Sequence, residues 1–171
     1  PLCWVGAHTN KIKLATGIAQ LGARTPATLA MQAMTLDALS GGRFCLGIGV
    51  SGPQVIEGWH GQPFGKPLSR TKETIDIIRK ILRREDPVTA DGPNLPLPYP
   101  KDAPNSWGLG KPLKLINRPL RPDIPIFLGA EGPKNIKLAF EECNGWLPLY
   151  YSPSRPEIYH LPKLEQDGDF E

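Results

Sequence analysis

The sequence predicts an α/β chain in which short parallel strands alternate with helices, and three observations predict it. Four short apolar segments recur along the chain, separated by stretches whose apolar residues repeat at helical spacing. Most of these strand-like segments run out into glycine or other small residues just before the chain turns. The composition is that of an ordinary globular domain: 171 residues, 40% hydrophobic, 22% charged, net charge +3.

Residues 12–18, Ile-Lys-Leu-Ala-Thr-Gly-Ile, read as the first strand. Thr25-Pro26 follows, a capping side chain with proline at the first helical position. The run 27–40 is rich in Ala, Leu and Met and apolar on most of its circumference, which predicts a well-buried helix. Gly41-Gly42 stops it, as a left-handed cap would. Residues 43–49, Arg-Phe-Cys-Leu-Gly-Ile-Gly, are a second strand, and residues 50–68 a loop rich in glycine, proline and aromatics. Ser69 then caps a helix reaching about Arg84. Ile75, Ile78 and Leu82 share one face of it, with Ile77 and Ile81 beside them, while Lys72, Lys80, Arg83 and Arg84 suit solvent and the helix end. Ten of the 20 prolines lie between Pro87 and Pro125, so residues 86–124 form a long excursion that is neither regular helix nor central strand. A third strand is expected at 124–130, a helix from Pro133 to about Cys143 closed by Asn144-Gly145, a fourth strand at 146–151, and then a polar tail with prolines.

Strands separated by helices pair in parallel through right-handed crossovers. An open doubly wound sheet and a (β/α)8 barrel both fit, although four strands are too few to close a barrel, which needs eight.

Composition excludes several classes. A charge of +3 without a basic block argues against nucleic acid as a partner, and no apolar run approaches the roughly 18 residues of a membrane span. Cys3, Cys45 and Cys143 stand far apart with no paired spacing, so neither a disulfide framework nor a metal site is expected, and reduced thiols suit a cytoplasmic protein. No secretory leader is visible, and the absence of an initiator Met fits a fragment or a processed product.

In either architecture ligands bind where strands end. The segment 47–52, Gly-Ile-Gly-Val-Ser-Gly, matches a dinucleotide fingerprint in letters, but Pro53, Gly58, Gly61, Pro63 and Gly65 break the long helix that should follow. The glycines read better as a strand-to-loop turn. The segment 129–135, Gly-Ala-Glu-Gly-Pro-Lys-Asn, delivers a strand to a helix N-terminus. Free N–H groups there would favour a phosphate, helped by Lys134 and Asn135 and opposed by Glu131; an ordinary short loop is the equal alternative. His8, His60 and His160 share no face and no ligand spacing, and Trp59-His60 is the most suggestive pair. Trp4, Trp107 and Trp146 read as core or loop anchors.

Residues 37–49, Asp-Ala-Leu-Ser-Gly-Gly-Arg-Phe-Cys-Leu-Gly-Ile-Gly, resemble the signature of luciferase-like monooxygenases, and the likeness runs on through residue 68. With Gly132-Pro-Lys-Asn135 and Gly145-Trp-Leu-Pro148, the chain is similar to the branch that uses coenzyme F420, close to methylenetetrahydromethanopterin reductase-like oxidoreductases, over about residues 4–155. The resemblance implies a partial (β/α)8 barrel domain over 1–171 that supplies the third to sixth of the barrel's strands. It implies hydride transfer between F420 and a small organic substrate. FMN is the alternative cofactor, and a non-catalytic half-barrel remnant that holds a phosphate-bearing ligand or a partner chain is the alternative function. By the same resemblance Gly17-Ile18 is a non-prolyl cis peptide or bulge behind the cofactor ring, Val50 and Ser51 line its pocket, and Gly129, Ala130 and Gly132 face its phosphate. No catalytic residue and no metal ligand is assigned. A homo-oligomer is expected, because two half-barrels together supply eight strands.

Overall fold

The computed structural model describes residues 1–155. The expected tail beyond residue 155, with His160, lies outside the described residues.

Five short strands form one parallel sheet: β1 (Leu14–Ala15), β2 (Ala19–Gln20), β3 (Phe44–Gly49), β4 (Ile126–Gly129) and β5 (Gly145–Leu147). β3 is central. Its start pairs with β1 and its end with β2 on one side, and β4 then β5 follow on the other. The expected strand 12–18 is therefore broken. Its chain leaves the ladder between Ala15 and Ala19, where the Thr16 hydroxyl donates to the Gly47 carbonyl at 2.7 Å and the Gly17–Ile18 peptide is cis. The strand expected at 146–151 stops at Leu147, and Tyr150 adopts a positive φ of 54°.

Alternation gives the sheet two different faces. Phe44, Leu46, Ile48, Ile126 and Leu128 are buried in the core with three helices, α2 (Pro26–Leu39), α4 (Pro67–Arg83) and α5 (Pro133–Glu142). The opposite face carries Cys45, Gly47, Gly49, Phe127 and Gly129. Glycine leaves it little side-chain volume, and Ile18 lies across Gly49 and Gly129.

Two helices escape the sequence patterns. α1 (Leu2–His8) is seven residues long with no capping side chain, and α3 (Pro53–Gly58) is a short helix inside the expected loop. In α2 the Thr25 hydroxyl accepts from the Thr28 amide at 3.2 Å, as the sequence predicts. The helix buries one stripe and not its whole circumference, so Met31 and Leu39 are half exposed. α4 begins three residues earlier than expected, at Pro67, and Ser69 is no cap; its hydroxyl donates to Glu73 at 3.1 Å. Ile75, Ile77, Ile78, Ile81 and Leu82 are all buried, each contributing about 1.5–3 kcal/mol by leaving water.

The excursion is irregular apart from two antiparallel bridges, Val88 with Leu113 and Ala90 with Leu97. It is fastened rather than loose. Glu73 accepts from the amides of Asn94 (3.1 Å) and Leu95 (2.8 Å) and from the Asn94 side chain. Arg84 donates to the Leu115 carbonyl at 2.6 Å. Arg121 donates to the fully buried Asp37 and to the Phe44 carbonyl at 2.7 Å. Val88, Leu95, Leu97 and Leu115 pack against the core, so the excursion covers part of its apolar surface. Trp4 and Trp107 are largely exposed and anchor nothing; Trp146 is a loop anchor, donating to the Ala130 carbonyl at 2.8 Å. Among the described residues no helix is long and apolar enough to cross a membrane.

Candidate functional site

The C-terminal ends of β2, β3 and β4 lie side by side, because Gln20 pairs with Gly49 and Gly49 with Gly129. This register brings most of the predicted residues together. Glycine is required on this face for a steric reason. A Cβ on Gly47 would overlap the Thr16 carbonyl oxygen, and one on Gly49 or Gly129 would press on the Ile18 side chain. Ile18, half-buried, thus sits over the glycines at the mouth of the sheet, with Gly17 exposed beside it. Leu147 reaches the same face above Gly47.

Beyond Gly49 the chain turns through Val50 and Ser51, both half-buried. Ser51 has φ of +61°, a left-handed conformation that costs a residue with a side chain about 1–2 kcal/mol, and it aims the chain from β3 into α3. Beyond Gly129 come buried Ala130 and exposed Gly132. Gly132 is the N-cap of α5, with no side chain closing that helix end and open space where a Cβ would stand. The Glu131 carboxylate, expected to oppose an anion here, accepts from the Leu149 amide at 2.8 Å and so is held toward the loop after β5. Lys134 is exposed. The buried Oδ1 of Asn135, in the first turn of α5, has no hydrogen-bond partner among the described residues. In that turn Pro133 has no N–H and the Asn135 and Ile136 amides donate to the Gly132 carbonyl at 3.0 Å, so the unsatisfied side-chain oxygen stands beside the Lys134 amide.

These features fit a planar cofactor with a ribityl phosphate chain. Ile18, seated on the glycine face, gives an apolar wall, and the start of α5 an anion end beside an acceptor for a hydroxyl. Sequence reasoning missed Thr16, Gly47 and Leu147. Their roles depend on the break in the first strand and on the parallel register, which no local pattern announces.

The remaining chemistry-bearing side chains are quiet. The His8 Nδ1–H donates to the Trp4 carbonyl (2.8 Å) and the ring stacks on Trp4; His60 Nε2 meets Gln20 Oε1 at 2.9 Å. The three cysteines are free, and burial pushes the Cys143 thiol up to about 11, which removes it as a nucleophile near neutral pH. No cluster able to hold a metal ion occurs among the described residues.

Residues 1–159 match the profile of a protein family described as luciferase-like monooxygenase. A Mycobacterium tuberculosis protein provisionally named a coenzyme F420-dependent oxidoreductase is 58% identical over 160 residues, covering 94% of this chain and 46% of that protein. The 5,10-methylenetetrahydromethanopterin reductase of Methanolobus tindarius is 36% identical over 140 residues, 82% of this chain and 38% of the reductase. Among solved structures, the coenzyme F420-dependent tetrahydromethanopterin reductase of Methanopyrus kandleri superposes with a TM-score of 0.76 at 28% identity, covering 96% of this chain and 47% of that one. The chain spans about half the length of the curated relatives it matches.

Proposed function

Because the chain belongs to the luciferase-like monooxygenase family, and its parallel sheet is part of that family's (β/α)8 barrel, we propose that it acts as an F420-dependent oxidoreductase on a small organic substrate. The observation that carries the reading is the Ile18 side chain seated on the glycines at the ends of β3 and β4, beside the uncapped start of α5. The name of the relative at 58% identity favours F420 over FMN.

When bound, the deazaflavin supplies a carbon centre that accepts or donates a hydride. The chain's own residues do the positioning. Gly47, Gly49 and Gly129 make room for Thr16 and Ile18, which would form the surface behind the ring. Ile18 backs it and keeps water from that side. Val50 and Ser51 border it. Gly129, Ala130 and Gly132 would border the phosphate at the uncapped start of α5, and the Asn135 Oδ1 would accept from a hydroxyl of the chain that carries it. No side chain here is assigned as an acid or base.

The test is fluorescence titration of the chain with F420 and, separately, with FMN. Saturable F420 binding is expected, with Gly132→Asp weakening it by about tenfold or more, since that change sets charge and bulk where an anion must sit. Tighter FMN binding overturns the choice of cofactor. An unchanged affinity in Gly132→Asp, or no saturable signal with either compound, overturns the site.

A further inference from the structure

We propose that residues 107–120, in the second half of the proline-rich excursion, are a docking surface for an anionic lipid bilayer, which they meet at the headgroup boundary without crossing it. Trp107, Leu109, Leu113, Ile116 and Leu120 all lie in this stretch and are each more than half exposed, Trp107 by 90%. Single apolar side chains in water are ordinary, but a cluster of this kind marks a surface that meets an apolar partner. The stretch lies apart from the cofactor site, since none of the residues at the strand ends lines the groove that it borders.

The exposure is built into the fold, because the backbone of the stretch is fastened. The Val88 amide donates to the Leu113 carbonyl at 2.9 Å, and Arg84 to the Leu115 carbonyl at 2.6 Å. The Lys114 ammonium donates to the Glu85 carbonyl at 2.6 Å, and Arg121 closes the segment on Asp37 and Phe44. Leu115 packs against the core, while Lys114 and Ile116 on either side of it face solvent. Turning Ile116 inward would pull Leu115 out. Leu113 and Ile116 also join Met31, Ile81 and Leu97 around an open apolar groove of about 470 Å³, with Lys111 and Lys114 beside them.

Charge selects the partner. Residues 103–122 hold Lys111, Lys114, Arg118 and Arg121 and no Asp or Glu. Arg121 is taken by Asp37, which leaves Lys111, Lys114 and Arg118 exposed among the apolar side chains. Of the acids that flank the stretch, Asp102 and Asp123, the second is paired with Arg83. A second copy presenting the same patch would set cation against cation. A nucleic acid would take the cations and leave the leucines in water. A bilayer with anionic lipid satisfies both, since indole and aliphatic side chains enter the headgroup boundary while lysine and arginine meet the phosphates. Gly108, Gly110, Pro112 and Pro119 keep the stretch irregular, which suits shallow insertion and not a span.

Flotation of the chain with vesicles on a density gradient tests this without any cofactor, and self-associated protein does not float. One arm uses phosphatidylcholine vesicles, the other phosphatidylcholine mixed with phosphatidylglycerol. The chain is expected to float with the mixed vesicles, far less with the neutral ones, and less as salt rises. The double variant Lys111→Gln/Arg118→Gln is expected to weaken binding about tenfold or more, and Ile116→Glu in the same direction, whereas Lys72→Gln, whose partner Glu142 lies on α5, leaves it unchanged. Mixed vesicles shift tryptophan emission to the blue, and Trp107→Phe removes most of that shift. The substituted side chains are exposed, and far-UV circular dichroism of each variant confirms the fold. No flotation with the mixed vesicles, equal flotation with both kinds, or flotation that the double variant leaves intact overturns the proposal. So does an Ile116→Glu chain that loses self-association in the absence of lipid and still floats, because the patch is then a contact between copies.

Discussion

Arg121 illustrates what single residues do in this chain. It belongs to the irregular excursion, yet its guanidinium is bound to Asp37, a fully buried carboxylate in α2, 84 residues earlier. The hydrogen bond to Asp37 raises the Arg121 pKa above its ordinary value, so the cation persists at any accessible pH. Arg121→Ala leaves an uncompensated buried charge and is expected to cost about 3–5 kcal/mol in urea unfolding. The double variant Asp37→Leu/Arg121→Met removes both charges and is expected to lose less than the single one. Nothing in the sequence marks this pair, because long-range ion pairs leave no periodicity. The same limit applied at the candidate site. Gly17, Ile18, Gly129 and Gly132 were legible through family likeness and the habit of strands ending in small residues. The Thr16 and Leu147 contacts that shape the glycine face were not.

Among the elements, α4 was legible because five apolar residues recur on one side, and all five are buried. Ile78, fully buried, sits amid them, so Ile78→Ala is expected to destabilise the fold by about 2–5 kcal/mol, read as a lower urea midpoint with an unchanged slope. The starts of helices were less legible. Ser69 resembles a cap, but Pro67 fixes the helical φ two residues earlier and leaves the serine free to serve Glu73. α1 lacks both cap and period, and it is held from outside by the Arg43 bonds to Gly6 and to Thr9 just after it. By residue pattern the first strand read as continuous, because Ile-Lys-Leu-Ala-Thr-Gly-Ile has no break signal beyond one glycine, and the family likeness alone marked Gly17-Ile18; the departure from the ladder at Thr16 is set by its contact with β3.

For the whole molecule, the parallel order was legible from the alternation of strands and helices, and the sheet ends on β1 and β2 at one side and β5 at the other. Those outer strands carry backbone groups that no described strand pairs. The chain produced by itself is expected to self-associate, and sedimentation velocity checks it: a single species at the mass of one chain, across a range of concentrations, contradicts the expectation. The sheet's connectivity also bears on how the chain is made. β3 meets β1 and β2 from segments synthesised before it, whereas its other neighbour arrives late, since Leu46 pairs with Ile126, 80 residues further on. On a ribosome the first half can close its crossover and seat α4 on α2 while one side of the central strand still waits. The excursion is thus a delay as well as a connection, and through that interval the open side of β3 is the surface a chaperone would shield.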